Sequence, residues 1–581
     1  MAGLNLLFRN AESSRKVSVF SGFMSDMLDH QVIWSQDNHD LSIHKHKGYP
    51  YSIFNTTKYD VFIEGKVYNL SEKDVENELD KLYSELTSVE INKSKIIDIL
   101  FRLDGDYIIV FNDKINKRVF LLNDLYGRLP LYYAKNDDGF IVSRNIDVIV
   151  KTLNKTAIDK YGVAEFLVFG YTVTDRTLIE GINYFLPGSL LTYNIDKNQH
   201  YIQNIFTYNF EELLNVTHKN YKEKLRECVE LFKLANLQRA DKPVIGLSGG
   251  LDSRVLAAGL KGVSPEAITV SRLSFNNREK LDVELASQVS KVLNMPFQVV
   301  KSDEPSVSYL NDIIILKGGL NSIENDYNLI YEEKLASIFG HNFTYFTGDA
   351  GDRIKPHIRI NKAKDLDDFV DKLIKMNSRI ELTEVSKLLN IDTSKFITNI
   401  KDYIESFPEE SYGYKDLHFR IYSRGFKYVL EGEDRKRNFF WTVMPFYSHQ
   451  FFLSAMAFPD SFKKDYKMFF DFMNHLEPGL SQIINKNWNL RPDDWRLKLY
   501  LMKDLIPRKV RKHLQNLLNI TKKESAKIDN DTITKYLVEN QLYNKDEYSK
   551  LLKSLKPDRS FELFVRSPVF LDNYLKKYNA K

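Results

Sequence analysis

Short apolar runs separated by Asn, Asp and Gly fill the first third of the chain. VFIEGKVYNL, GDYIIVFND, KRVFLLND, PLYYAK and GFIVS are rich in branched and aromatic residues, and turn residues bound each of them. This pattern predicts strands. Apolar positions at helical spacing interrupt them at Glu72–Leu86 and Lys95–Leu103, so the segment reads as a β-rich α/β layer domain. Beyond it the rhythm changes. Strands are predicted at Val244–Leu247, Ala267–Leu273, Phe297–Val300 and Tyr345–Thr347. Helical patterns at Val255–Leu260 and Leu281–Asn294 alternate with them. Strand and helix in alternation predict a doubly wound parallel sheet, whose ligands sit where the strand order reverses.

With 581 residues the chain is too long for one domain. The expected division is 1–205 for the β-rich unit and 206–525 for the doubly wound unit. A helical extension, 526–581, is expected to pack on the latter. The first boundary falls in the polar segment Asp196–Glu212. A net charge of +4 is too weak to argue for nucleic acid or an anionic membrane. The single cysteine, Cys228, rules out a disulfide framework or a cysteine zinc site. It lies on an amphipathic pattern and reads as a buried structural thiol. The N-terminus has no leader pattern, and no stretch approaches the roughly 20 apolar residues of a membrane span. A cytoplasmic location is expected, with no membrane and no nucleic-acid partner. A homodimer is compatible with the sequence.

The most specific chemistry lies at VIGLSGGLDSR. Strand, glycine-rich turn and helix start present backbone N–H groups to an anion. Gly249 and Gly250 allow close approach of a phosphate, and the Ser248 and Ser253 hydroxyls add donors. Asp252 would repel a phosphate, so its use is to hold Mg²⁺ between carboxylate and phosphate. No Gly-Lys-Ser/Thr follows, so this is not a Walker A loop. The run resembles the SGGxDS loop of ATP pyrophosphatases, which cleave ATP between its α and β phosphates and adenylate a substrate. That resemblance assigns ATP contacts to Leu247, Ser248, Gly249, Gly250, Leu251, Asp252, Ser253, Val270 and Gly348.

The front third resembles the Ntn-type glutaminase half of asparagine synthetases. The resemblance rests on Gly105, Asn123-Asp124, Tyr126-Gly127, Pro130 to Tyr133, Ser143-Arg144 and Arg176–Asn194. The departures bear on function. Ala2 stands where the family has its nucleophilic cysteine, and alanine cannot form a thioester. Glu64 stands where an asparagine would stabilise the oxyanion, and Lys66 where a glutamate would hold the glutamine ammonium. No Arg-Gly-Pro-Asp segment and no Gly-Ser-Asp-x-Glu run is found. The resemblance therefore implies a glutaminase fold without glutaminase chemistry.

Gly348-Asp349-Ala350-Gly351-Asp352 resembles the Gly-Glu-Gly-x-Asp signature of the same family. By that likeness Asp352 joins Asp252 at the metal and Asp349 guides the amine, one methylene shorter than the usual glutamate. Eight residues after Pro478, Lys486 matches the family lysine that neutralises charge on the transferring groups. His44–Lys47 is expected to be a loop and Glu433–Arg437 a solvated helix face, although the family places basic residues near the latter.

The resemblance implies an AMP-forming, ATP- and Mg²⁺-dependent carbon–nitrogen ligase. It would join a small-molecule or peptide carboxylate to an amine that its own glutaminase does not supply, as β-lactam synthetases and lasso-peptide cyclases do. Ammonia-dependent asparagine synthesis and a non-catalytic nucleotide-binding scaffold remain as alternatives. RNA thiolation shares the loop, but the chain has no suitable cysteine and no basic patch.

Overall fold

In a computed structural model, residues 1–9, 27–36, 38–136, 139–153, 155–304, 307–323, 326–355, 358–360, 362–497, 541–554 and 559–579 are described. Two six-stranded antiparallel sheets form the N-terminal unit. One runs Ile182–Tyr184, Tyr132–Asn136, Gly139–Ser143, Gly3–Arg9, His39–Lys45, Asp29–Ser35. The other runs Gln199–Asn204, Ser189–Asn194, Arg118–Asn123, Gly105–Asp113, Tyr59–Val67, Tyr51–Asn55. Alternation builds the sandwich. Ile108 and Val110 share a core with Leu6, Phe8, Leu41 and Ile43 of the facing sheet. Tyr107, Ile109 and Phe111 point the other way, onto Val75, Leu79 and Leu82 of the helix Glu72–Leu86 and Ile96 and Leu100 of the helix Lys93–Arg102. Ser71 and Asn92 cap these two helices by accepting from Asp74 and Lys95 N–H groups, as N-cap residues do.

The strand Gly3–Arg9 is not among the predicted ones, yet it pairs with both Gly139–Ser143 and His39–Lys45. Its residues are buried almost throughout, so it lacks the alternation that marks a half-exposed strand. The histidine–lysine run also departs from expectation. His44 lies within the strand His39–Lys45, and both His44 and His46 are buried. The His44 ring stands 4.8 Å from that of His30, and the His46 ring 5.5 Å from that of His341. Burial pushes His44 down to about 3 and His46 to about 4, so both are neutral and pack as aromatic rings.

The second unit carries a five-stranded sheet ordered Phe297–Lys301, Ile268–Leu273, Pro243–Gly246, Thr344–Phe346, Trp441–Val443. Every neighbouring pair is parallel. The first strand in sequence is central, the next two extend to one side, and the last two extend to the other. The order therefore reverses between Pro243–Gly246 and Thr344–Phe346, and the loops leaving these two strands lie side by side. The helix Tyr221–Arg239 carries Cys228, which is buried. Burial raises its thiol to about 12, in keeping with a structural role.

The expected boundary between 525 and 526 lies outside the described residues. The helix Arg559–Asn579 reaches both units rather than the second alone. Its Phe564 stacks on Phe166 at 4.9 Å, its Asn579 donates to the Thr156 carbonyl at 2.7 Å, and its Ser567 lies 3.2 Å from Ser322. The helical period shows that an apolar face exists, but not which surface will cover it. Among the described residues, no helix is long and apolar enough to cross a membrane.

Candidate active site

The strand Pro243–Gly246 hands the chain to Leu247–Gly250 and then to the helix Leu251–Gly259. The serines of this turn bond to each other. Ser253 Oγ accepts from the Ser248 N–H at 3.1 Å, and Ser248 Oγ accepts from the Gly250 N–H at 3.2 Å. The neighbouring strand releases Thr347–Ala350, and glycines let the two turns touch. A Cβ on Gly348 would stand 2.8 Å from the Ser253 nitrogen, and one on Gly351 would stand 2.7 Å from the Asp252 side chain. Both distances are closer than side chains allow, so the second motif needs glycine here because the first is packed against it. Ala350 carries φ +68°, a left-handed conformation that glycine adopts freely and alanine does not.

A cavity of about 560 Å³ opens over these turns. Leu247, Ser248, Gly250, Asp252, Ser253, Val270, Gly348, Asp349 and Lys486 all line it. Gly249 and Leu251 do not. The Gly249 N–H is taken by Asp282 Oδ1 at 2.9 Å, and Leu251 is buried in the core. Lys486 donates to that same Asp282 oxygen at 2.6 Å. Arg254, itself buried, donates to the carbonyls of Ile483 at 2.8 Å and Gly249 at 3.1 Å. It thereby ties the segment that carries Lys486 to the glycine turn.

Asp252 also borders a second cavity, of about 470 Å³, where Asp352 lies. Burial raises the Asp252 carboxyl. Lys355, 2.5 Å away, opposes the rise, and the charges of Asp352 and Asp349 add to it. Mutual repulsion among these three acids is the situation a divalent cation relieves. Two carboxylates suit Mg²⁺, which keeps most of its water and binds phosphate oxygens beside one or two protein carboxylates.

Asp349 is open to both cavities, and its carboxyl is hydrogen-bonded to Glu433. Burial pushes Glu433 up to about 7, with Asp349 adding to the rise and Lys436 opposing it. Burial also acts to raise Asp349. There, however, Lys436 and hydrogen bonds from Glu433 and Thr347 prevail, holding it below the usual carboxylate range. Of the two acids, Glu433 is therefore the one shifted toward its protonated form.

This overturns the expectation of a solvated helix face at Glu433–Arg437. Glu433, Asp434, Arg435 and Arg437 are each at most 4% exposed. Arg435 pairs with Glu332 at 2.8 Å and Arg437 with Asp106 at 3.2 Å. A run of mixed charges is read as solvated because charges are costly to bury alone. Here Asp434, Arg435 and Arg437 find counter-charges on other elements, and Glu433 and Lys436 pair with each other. Glu433, Lys436 and Asp282 are thus site residues that sequence reasoning missed. The only hint was the family's basic residues near this run, and nothing marked Asp282.

At the position of the family nucleophile, the Ala2 N–H donates to Asn438 Oδ1 at 2.7 Å. Beside it, Glu64 accepts from the Leu4 N–H at 2.9 Å and from the Tyr49 hydroxyl at 2.5 Å, and forms a buried ion pair with Arg144. Arg144 also pairs with Asp434 of the second unit. Lys66 is half-exposed and lies 3.7 Å from Asp241.

Residues 41–206 match the glutamine amidotransferase domain model. The glutamine-hydrolysing asparagine synthetase of Homo sapiens is 25% identical over 269 residues. That stretch is 43% of this chain and 45% of that protein, so the match spans under half the length of the relative. Two solved structures are also similar. One is an allosteric regulatory enzyme of purine biosynthesis, at 11% identity, TM-score 0.21, covering 52% of this chain and 75% of that one. The other is the glutamine phosphoribosylpyrophosphate amidotransferase of B. subtilis, complexed with ADP and GMP, at 10% identity, TM-score 0.19, covering 55% and 69%. Likeness at that level carries no functional inference. Two antiparallel sheets with a matched amidotransferase domain, followed by a parallel sheet, define a glutamine-amidotransferase-related α/β protein. Within that class the chain is asparagine synthetase-like.

Proposed function

We propose that the chain is an ATP-dependent ligase that adenylates a carboxylate and passes the acyl group to an amine it does not obtain from glutamine. One observation carries this reading: Ser248–Ser253 and Gly348–Asp352 meet at the reversal point of the parallel sheet, with Lys486 reaching over them. In the proposed reaction a substrate carboxylate oxygen attacks the α-phosphorus of ATP, and pyrophosphate leaves. Ser248, Gly250 and Ser253 hold the pyrophosphate, and Leu247 and Val270 flank the nucleotide. Mg²⁺, held by Asp252 and Asp352, would neutralise phosphate charge. Lys486 stabilises negative charge on the transferring group. The amine then attacks the acyl carbon, its proton passes to the Asp349–Glu433 pair, and AMP leaves. Glu433, pushed up to about 7, is matched to proton transfer near neutrality.

The amine is not expected to come from glutamine, because Ala2 supplies no thiolate and the buried Arg144–Glu64 pair stands beside it. The test is pyrophosphate and AMP release from Mg·ATP against panels of carboxylates and amines, in the wild type and in Asp252→Asn. Substrate-dependent release that vanishes in Asp252→Asn, with unchanged circular dichroism, supports the reading. Full turnover by that variant overturns the site assignment.

A further inference from the structure

The second cavity adjoins the first through Asp252, Gly348, Asp349, Arg424 and Val429, which line both. Four arginines line it: Arg353, Arg359, Arg420 and Arg424. Two of these come from the π-helix Arg420–Val429. A π-helix bonds i to i+5 and is concentrated at functional sites. Its wide turn puts Arg420, Arg424, Gly425 and Val429 on the face that lines the cavity. Gly425 leaves room there for side-chain ends: a Cβ would stand 2.8 Å from the Tyr447 hydroxyl and 3.0 Å from Arg353.

These cations are under-compensated. Asp416 serves both Arg420, at 3.5 Å, and Arg359, at 3.9 Å, and is already bonded to the Arg359 backbone N–H at 2.8 Å. Arg353 meets Asp352 only at 3.7 Å. Among the described residues no carboxylate comes within ion-pairing distance of Arg424. The Arg420 side chain is 18% exposed, and its Nε and Nη2 have no hydrogen-bond partner. Burial lowers its pKa, Asp416 and Asp352 oppose the fall, and Arg359 and Arg353 add to it. A largely buried guanidinium with unused donors is costly unless an anion completes it.

Resting on the ligase reading above, we propose that this cavity is the substrate subsite, and that the substrate carries a second oxyanion, a carboxylate or a phosphate, held by Arg420 and Arg424. The carboxylate to be adenylated then lies at the Asp349 wall shared with the nucleotide cavity. A volume of about 470 Å³ suits a small molecule rather than a folded partner. An ammonium at the arginine end would be repelled, so a free α-amino acid presented by that end fits poorly.

The experiment is calorimetric titration of tricarballylate, inorganic phosphate and L-aspartate into the full chain, with and without Mg²⁺ and α,β-methylene-ATP. Wild type, Arg420→Gln and the more exposed Arg424→Gln are compared after thermal melting has established that they fold. Tricarballylate or phosphate is expected to bind beside the nucleotide analogue, and the better of the two identifies the oxyanion. Each variant should weaken it at least tenfold, and Arg420→Gln, whose position does not line the nucleotide cavity, should change analogue affinity less than twofold. L-aspartate should bind at least tenfold more weakly. The proposal is overturned if neither anion binds the wild type, if aspartate binds as well, or if the variants weaken the analogue as much as the anion. In that last case the arginines serve the triphosphate itself. Arginine-dependent anion binding without analogue binding would uphold the subsite and sink the ligase reading instead.

Discussion

Lys486 and Asp282, 204 positions apart in the chain, are joined at 2.6 Å, and the same Asp282 oxygen accepts the Gly249 N–H at 2.9 Å. One carboxylate thus holds both the cation and the glycine turn in place. It also neutralises part of the charge that Lys486 would offer to a phosphate.

Replacing Lys486 with Met should therefore lower kcat by about a hundredfold or more, the cost of removing one donor to a developing oxyanion. Asp282→Asn keeps the shape but not the charge. It is expected to raise the KM for ATP severalfold with a smaller fall in kcat, because the turn loses its anchor while the lysine is freed. Steady-state pyrophosphate release with ATP varied separates the two. Equal losses in kcat for both variants would contradict this division of labour.

The Asp349–Glu433 pair sets a pH dependence. Glu433 must be ionised to take a proton, and it sits at about 7. The rate should fall as pH drops from 8 to 6, and Glu433→Gln should be slow and flat over that range. Stability runs the other way. A carboxyl raised on folding stabilises the native state most below its ordinary value, and that contribution is lost as pH rises through about 7. Asp349 is held below the usual carboxylate range, so it titrates beneath this window. The urea midpoint of the wild type should fall more between pH 5 and pH 8 than that of Glu433→Gln.

Restoring the nucleophile should not restore glutaminase chemistry. In Ala2→Cys, Glu64 still occupies the oxyanion position and remains paired with Arg144. Glutamate release from glutamine by this variant should match the no-enzyme rate, measured with and without Mg·ATP. Release above that of the alanine chain would show that the pocket is still competent.

Ala350 offers a test of backbone strain. Its φ of +68° costs an alanine roughly 1–2 kcal/mol, and glycine's greater chain entropy returns about half of that. Ala350→Gly should leave stability unchanged or raise it by up to about 1 kcal/mol, read from the urea midpoint.

Chain-local features were legible in the sequence. The strands at Gly105–Asp113 and Gly139–Ser143, the helix Glu72–Leu86 and the strand–turn–helix at Val244–Gly259 appear where period and turn residues placed them, because those signals depend on neighbours a few positions apart. The residue types of both motifs were also evident, since close backbone approach needs glycine wherever it occurs. Tertiary structure alone decided which charges are buried. Glu433–Arg437 has the composition of a solvated face, and Glu332, Asp106, Arg144 and Lys317, brought from distant segments, make its burial tolerable. The strand Gly3–Arg9 and the covering of Arg559–Asn579 were hidden for a related reason. A fully buried strand has no alternation, and an apolar face does not name its partner. What sequence determines is the local preference of each segment; which charges and faces meet depends on long-range packing.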